Sequence, residues 1–331
     1  MADIAGPIER RRLARLLAAL PLAGCAADPP GPCRVEALAA VPLELAGGCP
    51  VVTASINGRP ARMLVDTGAA TVVINAASAP RLGLHRDPFR RRFALTGVGG
   101  SRLEDAVSVA SLTIGQAGFI DPEIAGDHVV PLVPDLPRLG GGPPLDGVLG
   151  GDFLSRYDVE LDLPRRRLGL YRLRECQAPP AAWTRHAALI PAEADGDTHR
   201  LLVPVRIGAA PLSAVFDTGS QLTVLAMALL PALGLEPTAL QPLAAAHATG
   251  TDRRPLPLWT LRVPAMAVGP LRLRDVDLVV ADFRVGADML LGADMMARVR
   301  IWISYARRQI FLAPAARAVA WRLAGAVPEA R

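Results

Sequence analysis

Met63-Leu64-Val65-Asp66-Thr67-Gly68-Ala69 ends an apolar run on a carboxylate, a hydroxyl and a glycine, and Ala214-Val215-Phe216-Asp217-Thr218-Gly219-Ser220 repeats the arrangement 151 residues later. The apolar residues predict a buried strand, and the small residues after each aspartate predict a rigid turn. Two copies in one chain predict a paired site built by two similar halves.

The repeat extends beyond the motif. An offset of 151 also maps Ile56 to Ile207, Pro60 to Pro211, Pro80 to Pro231, Leu82-Gly83-Leu84 to Leu233-Gly234-Leu235, and Gly99 to Gly250. Farther on the offset is 142, carrying Leu149-Gly150 to Leu291-Gly292, Asp152 to Asp294 and Arg166 to Arg308. The second half therefore lacks nine residues, and the proline- and glycine-rich stretch Val129 to Leu145 is the expected place. That stretch reads as a loop lying on the surface. Asp152 and Asp294 read as helix caps.

Most other segments read as strands. Pro50 to Ile56 and Ala61 to Val65 flank Asn57-Gly58, a tight-turn signal, so they predict a hairpin leading into Asp66. Arg92 to Leu95 and Arg102 to Val109 flank Thr96-Gly97-Val98-Gly99-Gly100, a hairpin with a glycine tip. The expected divisions are a leader at 1–25, a tether at 26–48, a first lobe at 49–174, a connection at 175–198, a second lobe at 199–314 and a tail at 315–331.

Composition narrows the partners. The 331 residues are 51% hydrophobic with mean hydropathy +0.30, enough apolar surface for two sizeable cores. All 36 basic residues are arginine, and a net charge of +5 with pI near 9.5 raises the question of an acidic partner. The arginines are scattered or in short runs, only 4% of residues are aromatic, and no nucleic-acid motif is present, which argues against nucleic-acid binding. Neither Cys-x-x-Cys nor His-Glu-x-x-His occurs, and His85, His128, His186, His199 and His247 lack ligand spacing, so no metal site is expected.

At the N-terminus, Arg10-Arg11-Arg12 precedes the apolar run Leu13 to Leu22 and then Ala23-Gly24-Cys25. This is similar to a bacterial lipoprotein signal, which implies export to the periplasmic side and lipidation of Cys25. Asp3, Glu9 and Arg15 favour the alternative, an amphipathic N-terminal helix. No other run approaches the about 18 apolar residues of a membrane span, so a lipid anchor is the sole membrane contact expected. In an oxidising compartment Cys176 pairs with Cys33 or Cys49 and leaves one thiol over, and buried unpaired thiols are the alternative.

Two carboxylates held in contact cannot both ionise, so they share one proton, and one serves as base while the other serves as acid. A water molecule between such a pair can attack a peptide carbonyl. Threonine after each aspartate can bond across to the other loop, and glycine lets backbone N–H groups approach the carboxylate. With these motifs, and with Val148-Leu149-Gly150 and Leu290-Leu291-Gly292 following in each half, the sequence resembles the retropepsin-like aspartic proteases, in particular bacterial exported relatives with two lobes in one chain.

The resemblance spans about Cys49 to Leu312. It implies an all-β fold of two tandem lobes, a monomer with pseudo-dimeric symmetry, and hydrolysis of an extended polypeptide without metal or organic cofactor. Asp66 and Asp217 would be the catalytic pair, supported by Thr67, Gly68, Ala69, Thr218, Gly219 and Ser220. Gly97, Val98, Gly99 and Gly100 would form the tip of a substrate-covering flap, with Thr249 and Gly250 as its less glycine-rich counterpart. Because Ser220 stands where the first copy has Ala69, a Ser220 hydroxyl bonded to Asp217 would make Asp217 the more easily ionised partner. A bilobal peptide-binding protein without activity is the alternative function.

Overall fold

The computed structural model describes residues 33–86, 89, 91–98, 100–119, 128–174, 176, 187–249 and 255–314. The leader with Cys25, the tail 315–331, and residues Gly99, His186 and Gly250 lie outside these. Among the described residues no helix is long and apolar enough to cross a membrane.

Strands dominate, arranged as two tandem lobes. In the first, Cys49–Ile56 runs antiparallel to Arg59–Val65 through a turn in which Asn57 and Gly58 take φ of 49° and 75°, the left-handed geometry that Asn-Gly favours. Arg59–Val65 then lies parallel to Gly147–Leu149, which pairs antiparallel with Val73–Asn75 on its other edge. The apolar run before Asp66 is explained by burial on both strand faces. Met63 and Val65 enter the main core, while Leu64 joins a second cluster with Val51, Val73 and Val148.

The second lobe repeats this. Leu201–Ile207 pairs antiparallel with Ala210–Phe216, which lies parallel to Met289–Leu291, and that strand pairs antiparallel with Val224–Ala226. Ala214 and Phe216 enter the main core and Val215 a separate cluster with Val224 and Leu290.

A six-stranded sheet joins the lobes, in the order Arg34–Pro42, Arg167–Arg174, Asp158–Asp162, Val299–Ser304, Gln309–Pro314, Ala188–Pro191. The lobes meet where Asp158–Asp162 pairs with Val299–Ser304, with Val159 opposite Ile303.

This sheet corrects two expected boundaries. Among the described residues regular structure begins at Arg34 rather than near Cys49, so the stretch read as a tether at 26–48 holds the strands Arg34–Pro42 and Glu44–Ala46. The connection at 175–198 likewise holds Ala188–Pro191, in the shared sheet, and Glu193–Ala194, paired with Leu201 and Leu202. These strands owe their conformation to distant partners, Arg167–Arg174 for the first and Gln309–Pro314 for the third, and local composition does not reveal such pairing.

The stretch Val129 to Leu145 also departs from expectation. Its start belongs to the strand His128–Val133, which runs parallel to Val73–Asn75. Its counterpart in lobe two is Leu271–Ala281 beside Val224–Ala226. The remainder lies at the surface, most of residues 134–144 being exposed, while Leu136, Leu139 and Leu145 turn inward into the cluster of Leu64, with Ala69 and Leu95, and cover an apolar face next to the Asp66 loop.

Cys33 and Cys176 are disulfide-bonded, 143 residues apart, and Cys49 is a buried free thiol. The bridge fastens Arg34–Pro42 to the end of its neighbour Arg167–Arg174. Closing so long a loop restricts the unfolded chain, and Cys33→Ser is expected to lower unfolding free energy by about 3 kcal/mol, read as a lower urea midpoint.

Candidate active site

Each lobe delivers its aspartate by the same hydrogen bonds. The Asp66 N–H donates to Leu149 O at 3.1 Å and the Asp217 N–H to Leu291 O at 3.0 Å. The following Gly-and-helix segment then supports the loop from below: Gly151 N–H donates to Ala69 O and Ala293 N–H to Ser220 O, both at 2.8 Å. Gly150 and Gly292 leave no room for a side chain, since a Cβ would lie 2.3 Å from Thr71 O and Leu222 O respectively.

Asp152 and Asp294 serve this support and are not the caps that sequence suggested. The cap positions of the short helices Gly151–Leu154 and Ala293–Met296 are Gly150 and Gly292. Asp152 accepts from Thr71 Oγ1 at 2.6 Å and Val72 N–H at 2.8 Å, and Asp294 accepts from Thr223 Oγ1 at 2.7 Å and Thr223 N–H at 3.0 Å. Both carboxylates thus tie the helix to the chain leaving the Asp loop.

The threonines interlock the two loops. Thr67 Oγ1 donates to Phe216 O at 2.5 Å and accepts the Thr218 N–H at 3.1 Å. In return Thr218 Oγ1 donates to Val65 O at 2.7 Å and accepts the Thr67 N–H at 3.1 Å. Both side chains are buried. Four bonds across one junction leave no orphaned group there.

The aspartates meet above this junction, partly open to solvent, and hydrogen-bond to each other. Asp66 Oδ1 accepts the Gly68 and Ala69 N–H groups at 2.8 and 2.9 Å, and Asp217 Oδ1 accepts the Gly219 and Ser220 N–H groups, both at 2.9 Å. The glycines are also wedged against the opposite carboxyl. A Cβ on Gly68 would lie 2.4 Å from Asp217 Cγ, and one on Gly219 would lie 2.3 Å from Asp66 Cγ.

Burial pushes the Asp66 pKa well up, and the negative charge of Asp217 pushes it further. Burial also raises Asp217, but N–H donors from Ser220 and Gly219, the hydrogen bond with Asp66 and the positive charge of Arg200 offset part of the rise. Both carboxyls are thus raised, Asp66 the more of the two.

That inequality does not come from the Ser220 side chain. Ser220 Oγ donates to Leu222 O at 2.8 Å, and the backbone donors to the two aspartates are matched. Ser220→Ala is accordingly expected to leave the pH dependence of activity unmoved, within about 0.2 pH units of wild type in a rate profile.

Arg200 was not singled out from sequence. It pairs with Asp195 and donates to Val285 O at 3.2 Å, with no local motif marking it.

The residues expected to form a flap are only partly described. Gly97 pairs with Gly100 across the hairpin of Arg92–Gly97 and Gly100–Val109, and Val98 at its tip packs against the second-lobe cluster of Val215, Val224 and Leu290. Thr249 ends the strand Gln241–Thr249 opposite Pro255. No group of three or more His, Cys, Asp or Glu side chains among the described residues could hold a metal ion. His128 faces the Phe119 carbonyl at 2.7 Å, and His199 abuts Gly151.

Comparison with curated proteins finds no match. The aspartyl protease family matches twice, over residues 52–153 and 203–295, together more than half of the chain. Each matched stretch contains one Asp-Thr-Gly loop and the Gly-and-helix segment beneath it. The chain belongs to the retropepsin-like aspartyl protease family and carries its unit twice.

Proposed function

We propose that the protein is an aspartic endopeptidase that hydrolyses peptide bonds in an extended polypeptide lying between the lobes. The reading rests on one observation: two carboxyls brought together by interlocked loops, each held by two backbone N–H donors and each against the glycine of the opposite loop. Asp217, ionised, takes a proton from a water molecule as its oxygen attacks the peptide carbonyl, and Asp66 gives its proton to the carbonyl oxygen. Collapse of the tetrahedral diol returns one proton to Asp66, and Asp217 passes the other to the leaving amine. The backbone N–H donors hold both carboxyls in place throughout, so no rearrangement of the loops is needed.

The Val98 hairpin would cover the bound chain. The N-terminal pattern supports export with a lipid anchor at Cys25. Cys25→Ser is expected to move the protein from the membrane to the soluble fraction.

The deciding experiment is digestion of a denatured protein mixture across pH by wild type and Asp66→Asn. Cleavage by wild type, absent in the variant and blocked by a pepstatin-type inhibitor, is the expected result. Equal cleavage by both, or none by wild type, rejects the reading and leaves a peptide-binding role.

A further inference from the structure

Cys49 enters the sequence reading as a disulfide candidate, but the structure gives it a different position. Its thiol is fully buried and donates to Gly219 O across the lobe boundary, with sulfur and oxygen 3.5 Å apart. Gly219 is the residue wedged against Asp66 Cγ whose own N–H donates to Asp217 Oδ1. The Gly219–Ser220 peptide that Cys49 holds donates its own N–H, that of Ser220, to Asp217 Oδ1, and its Gly219 end lies against Asp66.

A second bond acts two residues farther along. Gln221 Nε2 donates back to Gly47 O at 3.3 Å, and Gly48, between the two contacts, faces the Ala293 Cβ. Ala293 in turn donates its N–H to Ser220 O. The turn 46–49 of lobe one thus grips the 219–221 loop of lobe two from outside, by a side chain in each direction.

The corresponding turn of lobe two is built differently. The repeat offset of 151 carries Cys49 to Arg200, whose side chain engages Asp195, Thr198 and Val285. Its neighbour His199 lies against Gly151, where a Cβ would come within 2.6 Å of the His199 Cβ. The thiol contact is a feature of one side of the pseudo-dimer.

We propose that Cys49 and Gln221 form a cross-lobe clasp that fixes the Gly219 peptide between Asp66 and Asp217, making Cys49 a positioning residue for the hydrolysis proposed above, on which this inference rests. The thiol suits the task because it stays a neutral donor. Burial and the charges of Asp217, Asp66 and Asp294 push its pKa up to about 12, so it supplies no thiolate nucleophile in the working range. The titratable groups around it are those three carboxyls, of which the paired two share a proton, and a neutral thiol adds no further negative charge to them.

Two measurements test the clasp. In peptide hydrolysis, Cys49→Val, which fills the space without a donor, is expected to lower kcat about tenfold with KM within about twofold and to shift the acid limb of the rate profile, because the carboxyls lose their relative placement. Cys49→Ser, which keeps a donor, recovers most of the rate. A Cys49→Val enzyme with wild-type kcat and pH profile overturns the proposal, whatever its melting temperature.

The second measurement needs no activity. Iodoacetamide labelling of Cys49, located by peptide mapping in the full native chain, is expected to be far slower than in the urea-unfolded chain and about tenfold faster in Gln221→Ala than in wild type. Labelling that Gln221→Ala leaves unchanged overturns the clasp. If wild type cuts nothing while labelling behaves as expected, the protease reading fails and the cross-lobe contact stands as structure only.

Discussion

Asp66→Asn and Asp217→Asn are each expected to cut kcat/KM for a cleavable peptide by about 1,000-fold or more while making the folded protein more stable at neutral pH. The loss follows from the shared proton: an amide neither accepts the proton of the attacking water nor donates one to the carbonyl oxygen. The gain follows from the raised pKa values. An aspartate whose folded pKa lies above its unfolded value of about 4 contributes stability below that value and loses the contribution as pH rises through the folded value. Both members of this pair are shifted upward, chiefly by burial, so at neutral pH the fold resists an ionisation that the unfolded chain makes freely, and loses stability by that difference.

Asparagine has no ionisation to suppress, while its side-chain oxygen still accepts the two backbone N–H groups at each loop. Thermal melts should therefore show the variants above wild type at pH 7 and converging with it below about pH 4. A variant equally active, or one less stable than wild type at pH 7, would contradict this account. The combination of lower activity with higher stability separates a working carboxyl pair from two structural aspartates, whose replacement would cost stability as well.

Thr218→Val is expected to destabilise the protein by about 4 kcal/mol, because one isosteric change orphans two buried groups at about 1–3 kcal/mol each, with loss of the lobe junction added. The groups are Val65 O, which loses its donor, and the Thr67 N–H, which loses its acceptor. Neither can turn to water, since Thr67 and Thr218 are 2% and 1% exposed. Urea unfolding should show a lower midpoint, and Thr218→Ser, which keeps the hydroxyl, should recover all but about 1 kcal/mol. Because all four bonds share two residues, Thr67→Val added to Thr218→Val should cost less than it does alone. A small effect of Thr218→Val would mean that the lobes are held chiefly by the six-stranded sheet.

Much of the site was legible because its chemistry and its repeat are both local. An apolar strand, an aspartate, a threonine and a glycine occupy consecutive positions, and the second copy fixes which aspartate faces Asp66. Leu149-Gly150 and Leu291-Gly292 were equally legible, since close approach to Thr71 O and Leu222 O requires glycine there.

The inequality of the pair was expected on the wrong grounds. Sequence offered Ser220 as the extra donor, but its hydroxyl satisfies Leu222 O two residues on, the kind of local bond that serine side chains make in turns. The two aspartates differ mainly through their mutual contact, with the Asp217 charge raising Asp66; Arg200, held by the Asp195 pair, adds a small positive influence on Asp217, and nothing in consecutive residues links position 200 to position 217.

The sequence by itself determined the two-lobe repeat, the all-β class and the identity of the paired aspartates, because strand periodicity, turn chemistry and motif spacing are written in neighbouring residues. Tertiary structure alone decided that Arg34–Pro42 and Ala188–Pro191 complete a shared sheet, that Cys33 rather than Cys49 meets Cys176, and that Cys49 reaches Gly219. Those outcomes depend on which surfaces meet after the chain has closed loops of more than 100 residues, and such contacts leave no periodic trace in the segments that make them.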